Sequence, residues 1–197
     1  MRQTIVQKTS RLWLGLVAMA LLFSVAAHAG EKTAFELARE ADKHVGEDAK
    51  GKVVQIRSEK SIGSLTPNIW YVVMYDPDAT AKATEIKFGS GQKLSVKRPA
   101  RVLELGFRDH LPLDKEKLKF DSDEAIKIAS SEGMLKNLKL TATRLVLEKW
   151  EGAPVWKVRL WAEKLRDPRK DADIGEIFVS SETGKVVKND LRIDRVD

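Results

Sequence analysis

Few residues in this chain have the type and spacing to do chemistry, and those that do suggest contact rather than turnover. Asp167, Asp171 and Asp173 stand close together between Arg166 and Gly175, and a hard cation such as calcium takes several oxygen ligands from such a loop. Their spacing is not that of an EF-hand, and Arg166, Arg169 and Lys170 lie beside and between the acids, so a solvated charged loop is the expectation and no metal site is assigned. Beyond the N-terminal segment only His44 and His110 remain. Neither has an acid or nucleophile at a recurrent spacing, so no catalytic residue is assigned and the chain is not expected to be an enzyme. Gly89-Ser90-Gly91 reads as a tight turn, because no helix follows to make it a phosphate loop.

A stronger signal comes from two strand-like runs, Ile69-Trp70-Tyr71-Val72-Val73-Met74-Tyr75 and Val155-Trp156-Lys157-Val158-Arg159-Leu160-Trp161. Neighbouring residues of a strand point to opposite faces of its sheet. Trp70, Val72 and Met74 therefore share one face, as do Trp156, Val158 and Leu160, and this uniformly apolar set is expected in the core. The other faces carry Tyr71 and Tyr75 in one run and Lys157, Arg159 and Trp161 in the other. Amphipathic aromatics and arginine dominate binding hot spots, so these five are the candidate binding residues. The competing expectation is that this face is covered or merely holds cross-strand aromatic pairs.

Elements that would position these runs are legible nearby. Thr33 with Glu36, and Asp121 with Glu124, have the separation of a capping box. Each opens a short amphipathic run: Ala34, Leu37, Ala38, Ala41 and Val45 before Gly46, then Ala125, Ile126, Ile128 and Ala129 before Gly133. Strand-like runs follow at residues 52–59, 69–75, 84–88 and 93–97, and again at 140–150, 155–162, 175–180 and 185–188, separated by Pro- and Gly-containing turns. The second half repeats the plan of the first, which predicts an α+β fold of two tandem helix-plus-antiparallel-meander repeats with the helices on one face of the sheet. The expected organisation is a first unit at 30–99, a connecting segment at 100–119 too apolar to be a free linker, and a second unit at 120–197.

The ends and the composition bound the setting. Arg2, Lys8 and Arg11 precede an apolar run from Leu12 to Ala27 that closes on Ala27-His28-Ala29, so residues 1–29 are expected to be a signal peptide and Gly30 the mature N-terminus. The run is too short for a membrane span. Removing those three cations takes the net charge from +6 to +3, with both signs interspersed, and nucleic-acid binding is not indicated. No cysteine occurs, so neither a lipidated N-terminus, a disulfide framework nor a thiol site is expected.

The run Phe120-Asp121-Ser122-Asp123-Glu124-Ala125-Ile126-Lys127-Ile128-Ala129, the strand at 155–161 and the closing Val179-Ser180-Ser181-Glu182-Thr183-Gly184-Lys185-Val186 together resemble a PepSY-type domain. Ser180 stands where that family usually has Asp, and residues 33–97 resemble it only as a degenerate copy. The plan is also similar to that of β-lactamase-inhibitor-type proteins, in which two such repeats form one concave sheet that grips a partner. The resemblance implies a helix packed on an antiparallel sheet, often in tandem, in secreted or membrane-facing proteins that restrain or bind peptidases and other envelope partners without a catalytic set. Together with the signal peptide, the expectation is a secreted, periplasmic, non-catalytic module that binds a protein or peptide in the envelope without a cofactor, inhibition or regulation of a peptidase being one form of this. The alternative is a periplasmic binder of a small molecule or lipid, which a closed apolar pocket would favour.

Overall fold

The computed structural model describes residues 32–99 and 111–197. The expected signal peptide, and the part of the connecting segment that holds His110, lie outside the described residues. Helix α1 spans Ala34–Ala41 and is followed by strands β1 (Val53–Ser58), β2 (Ile69–Tyr75), β3 (Ala83–Gly89) and β4 (Gln92–Lys97). Helix α2 spans Ser122–Ser130 and is followed by β5 (Leu140–Trp150), β6 (Ala153–Glu163), β7 (Asp171–Ser180) and β8 (Val186–Leu191).

All eight strands form one antiparallel sheet in the order β4-β3-β2-β1-β5-β6-β7-β8. This corrects the expected fold class. Among the described residues the molecule is not a pair of tandem helix-plus-meander repeats but a sheet-dominated fold with two short α-helices, of 8 and 9 residues. The physical reason lies at the centre, where β1 pairs with β5 through Ile56↔Leu147 and Arg57↔Val146. That ladder satisfies two strand edges that separate units would have left open. The outer edges β4 and β8 carry Lys93, Lys97 and Lys188, charges that oppose further edge-to-edge pairing.

One apolar cluster runs under the sheet from β3 to β8. It takes Trp70, Val72 and Met74 from β2, Trp156, Val158 and Leu160 from β6, and Ala34, Leu37, Ala125 and Ala129 from the helices. Trp156 sits at its middle, fully buried, with its ring stacked on Phe35 at 6.1 Å and its indole N–H donating to the Phe120 carbonyl at 2.8 Å. Gly184 turns beside it in the left-handed region at φ 68°, where a Cβ would approach the Phe120 ring to 2.6 Å. A side chain there would displace the residue that accepts the Trp156 hydrogen bond.

The start of α2 also caps α1. Both capping boxes form, and the Asp121 carboxylate that caps α2 also accepts from the Phe35 amide of α1, at 3.1 and 3.2 Å to its two oxygens. Ser122 Oγ accepts from the Ala34 amide at 3.1 Å. The first-turn amides of α1, which no helix can satisfy internally, are thus answered across the fold. Helix α1 stops at Ala41 rather than reaching Val45 as its apolar period suggests. A 3₁₀ turn follows, and Asp42 accepts from the Gly51 amide.

Asp76, at the end of β2, is buried to 1% exposure. Its carboxylate accepts from Thr84 Oγ1 at 2.6 Å and from the Asp78 amide at 3.1 Å, with Arg98 Nε at 3.3 Å. Burial pushes its pKa upward, but the Thr84 hydroxyl, the backbone amides and the Arg98 charge outweigh burial and hold it below the ordinary 3.8. A depressed folded-state pKa gives stability that is present above 3.8 and lost as pH falls through the folded value. Urea denaturation across the acid range is expected to show this loss in the wild type and a shallower dependence in Asp76→Asn. Identical acid limbs would refute the assignment.

Candidate functional site

The face of the sheet turned away from the helices is built by the residues alternate to the core positions. At its centre, register places one row across seven strands: Lys87, Tyr71, Arg57, Val146, Lys157, Phe178 and Lys188. Cations and aromatics alternate on either side of Val146. Arg57 lies 4.3 Å and Lys87 5.0 Å from the Tyr71 ring centre, while Lys157 lies 5.4 Å and Lys188 5.0 Å from that of Phe178. Such contacts draw each cation onto a ring quadrupole and stiffen long side chains that would otherwise sweep through solvent.

Beside this row the sheet forms an open concavity of about 710 Å³. Its aromatic walls are Tyr71 and Trp161, and its charged lining comprises Arg57, Lys60, Arg144, Lys157 and Arg159 against Glu59, Glu148 and Glu176. Most of these charges are engaged. Arg57 meets Glu85 at 2.6 Å, Lys157 meets Glu148 at 2.5 Å, Arg159 meets Asp173 at 2.9 Å, and Lys60 meets Asp171 at 2.6 Å while lying 4.7 Å from the Trp161 ring centre. Glu59 accepts from the Tyr71 hydroxyl at 2.5 Å and from Lys87 at 3.1 Å, and these two hydrogen bonds hold its pKa below the ordinary 4.5. The same network raises the pKa of Lys87 through Tyr71 and Glu59. In Asp171 the Lys60 hydrogen bond lowers the pKa.

Three buried polar atoms of this lining have no hydrogen-bond partner among the described residues: Gln55 Oε1, Arg57 Nη1 and Arg159 Nε. Arg159 Nε is close to Asp173 but outside hydrogen-bonding geometry. Buried polar groups are ordinarily satisfied, so these three atoms are exceptions gathered beneath one lining.

Of the five candidate binding residues, Tyr71, Lys157, Arg159 and Trp161 meet in the concavity, each half-buried. Tyr75 does not. It packs on a small reverse-face cluster of Val54, Val73 and Ala83, with Lys52 Nζ 5.8 Å from its ring centre. The additional lining residues Gln55, Arg57, Arg144 and Glu148 belong to β1 and β5. The sequence signal for them is charge at alternate positions, Arg57 and Glu59 in one run and Arg144 and Glu148 in the other, but it points to one site only once the two strands are known to pair.

The other candidates disperse. His44 tilts against Phe88 with ring centres 6.5 Å apart. The three acids of the charged loop do not converge: Asp167 pairs with Arg169 and Lys170, Asp171 with Lys60, and Asp173 with Arg159. Asp171 and Asp173 are in fact strand residues of β7, alternating with buried Ala172 and Ile174. Among the described residues no helix is long and apolar enough to cross a membrane.

Comparison with known proteins finds no matching family model and no match among curated proteins. A solved structure of a candidate lipoprotein from Clostridium difficile 630 is similar, at 17% identity and a TM-score of 0.51, over 80% of this chain and 91% of that one. At this identity the likeness concerns the fold, and its extent agrees with a single sheet-dominated architecture.

Proposed function

We propose that this chain is a non-catalytic envelope protein that binds a protein or peptide segment on the reverse face of its sheet. The observation that supports this most is the half-buried set Tyr71, Trp161, Lys157 and Arg159 around one open concavity. Rigid aromatics with polar tips, held by cations, lose little conformational freedom on contact, which is what interface anchors require. A lipid or apolar small molecule is the weaker reading, since the concavity is open and has eight charged side chains in its lining, whereas such ligands occupy enclosed, mostly apolar sites. The envelope setting rests on the signal-like N-terminus, and the fold is shared with a candidate lipoprotein. The PepSY-type resemblance agrees with a binding role but contributes no residue to it.

Affinity capture from the native envelope with tagged protein tests the reading. The variant carrying both Tyr71→Ala and Trp161→Ala is expected to capture its partner at least about tenfold less well, as for the loss of interface hot spots. Tyr75→Ala, outside the concavity, is expected to capture as the wild type does. Undiminished capture by the folded double variant would refute the proposed surface.

A further inference from the structure

The positive charge of the concavity is not evenly used, and its surplus has a definite place. Arg144 of β5 stands directly opposite Arg159 of β6 in the register. Like charges directly opposite on neighbouring strands destabilise a sheet, so an anion placed between or above two facing arginines would be favoured. Arg159 has Asp173 on its far side at 2.9 Å, yet its Nε donates no hydrogen bond. Arg144 is exposed and makes no hydrogen bond or ion pair among the described residues. The acids of the lining do not fill the gap. Glu148 is engaged by Lys157 and Gln55, Glu59 by Tyr71 and Lys87, and Glu176, although opposite Arg159, forms no ion pair among the described residues.

We infer that the Arg144–Arg159 pair is the anchoring subsite for a carboxylate, and that the partner segment is therefore an acidic peptide. The inference rests on the binding reading above and sharpens it. The planar guanidinium presents paired N–H donors that match a carboxylate's two oxygens. A dense polyanion fits less well than spaced carboxylates, because Glu59, Glu148 and Glu176 share the same lining and would repel a continuous phosphate backbone. Trp161 and Tyr71 line the same concavity and supply apolar surface for other residues of the segment.

Four probes of equal length separate the possible sources of anion: an acetylated, amidated heptapeptide with glutamate at alternate positions, its glutamine counterpart, the glutamine peptide with a free C-terminal carboxylate, and a single-stranded oligothymidylate. Calorimetric titration of the wild type at low and physiological salt is expected to rank the glutamate peptide first, with affinity falling as salt rises. Arg144→Gln is expected to weaken that binding at least tenfold, and Arg144→Glu to abolish it and to favour the matching lysine peptide. Because Arg144 is exposed and its removal relieves a like-charge contact, thermal melting of Arg144→Gln should stay at or above the wild type. Preference for the free C-terminus over internal glutamate would still place a carboxylate at this subsite. Equal binding of glutamate and glutamine peptides, tighter binding of the oligothymidylate, or unchanged affinity in Arg144→Gln would each overturn the inference. If Arg144→Glu still captures the native partner while the Tyr71 and Trp161 double variant does not, the binding surface stands and this subsite falls; if both capture it, the binding reading falls as well.

Discussion

Trp156→Ala is expected to lower the unfolding free energy by about 3–5 kcal/mol, the usual cost of removing a buried large aromatic. The side chain is fully buried at the middle of the one cluster that the helices and the sheet share. Its loss removes the stacking on Phe35, opens a void where α1 meets β6, and leaves the Phe120 carbonyl with only the longer contact from Ser181 Oγ at 3.3 Å. Urea denaturation measures the effect. Trp156→Phe separates packing from hydrogen bonding if the alanine variant fails to fold: keeping a ring while losing the donor should cost about 0.5–1.5 kcal/mol, the net worth of one hydrogen bond. A loss under about 1 kcal/mol for alanine would mean that Trp156 is not central to the core.

The second large effect is expected at Asp121. One carboxylate caps α2 and accepts from the Phe35 amide of α1, so its removal orphans donors on both helices. Loss of an N-cap costs about 0.5–2 kcal/mol and an unsatisfied buried amide about 1–3, which puts Asp121→Ala at about 2–4 kcal/mol. Asp121→Asn retains a capping oxygen and should cost much less. The pH dependence supplies an independent check. Burial pushes the Asp121 pKa above the ordinary 3.8, against hydrogen bonds from Thr33, Ser122 and Phe35. A raised folded-state pKa for an acid means that stability is fullest below 3.8 and declines as pH rises through the folded value. This is opposite in sign to Asp76, so Asp121→Asn should flatten the decline above 3.8 while Asp76→Asn flattens the one below it. Matching pH profiles for the two variants would contradict both assignments.

What could be read from the sequence was whatever depended on neighbours in the chain. The alternation of Trp70, Val72 and Met74, and of Trp156, Val158 and Leu160, identified core positions because a strand's period is local. The capping pairs Thr33 with Glu36 and Asp121 with Glu124 were equally local. The start of β7 was hidden because Asp171 and Asp173 resemble loop residues, although Ala172 and Ile174 carry the strand period between them. Which strands join the sheet could not be read, since the joining ladder is set by Ile56 and Arg57 meeting Leu147 and Val146, residues far apart in sequence. That single pairing makes one eight-stranded sheet of what were expected to be two repeats with joined or abutting sheets. It also placed Arg57 and Arg144 beside Lys157 and Arg159, which no inspection of either run alone would do. Tyr75 shows the limit of alternation as a guide: it shares a strand face with Tyr71, yet Val54 and Ala83 draw it into a separate cluster.

The central claim is that the reverse face, and not the helix face, meets the partner. The tryptophan indole N–H resonances of the labelled protein, recorded with and without the captured partner, test it directly. Trp161 lines the concavity, whereas Trp70 and Trp156 are buried on the helix side with their N–H groups donating to Pro67 and Phe120 carbonyls. Binding is predicted to shift or broaden the Trp161 resonance and leave those of Trp70 and Trp156 in place. A bound state that moves Trp70 or Trp156 and leaves Trp161 unchanged would contradict the account.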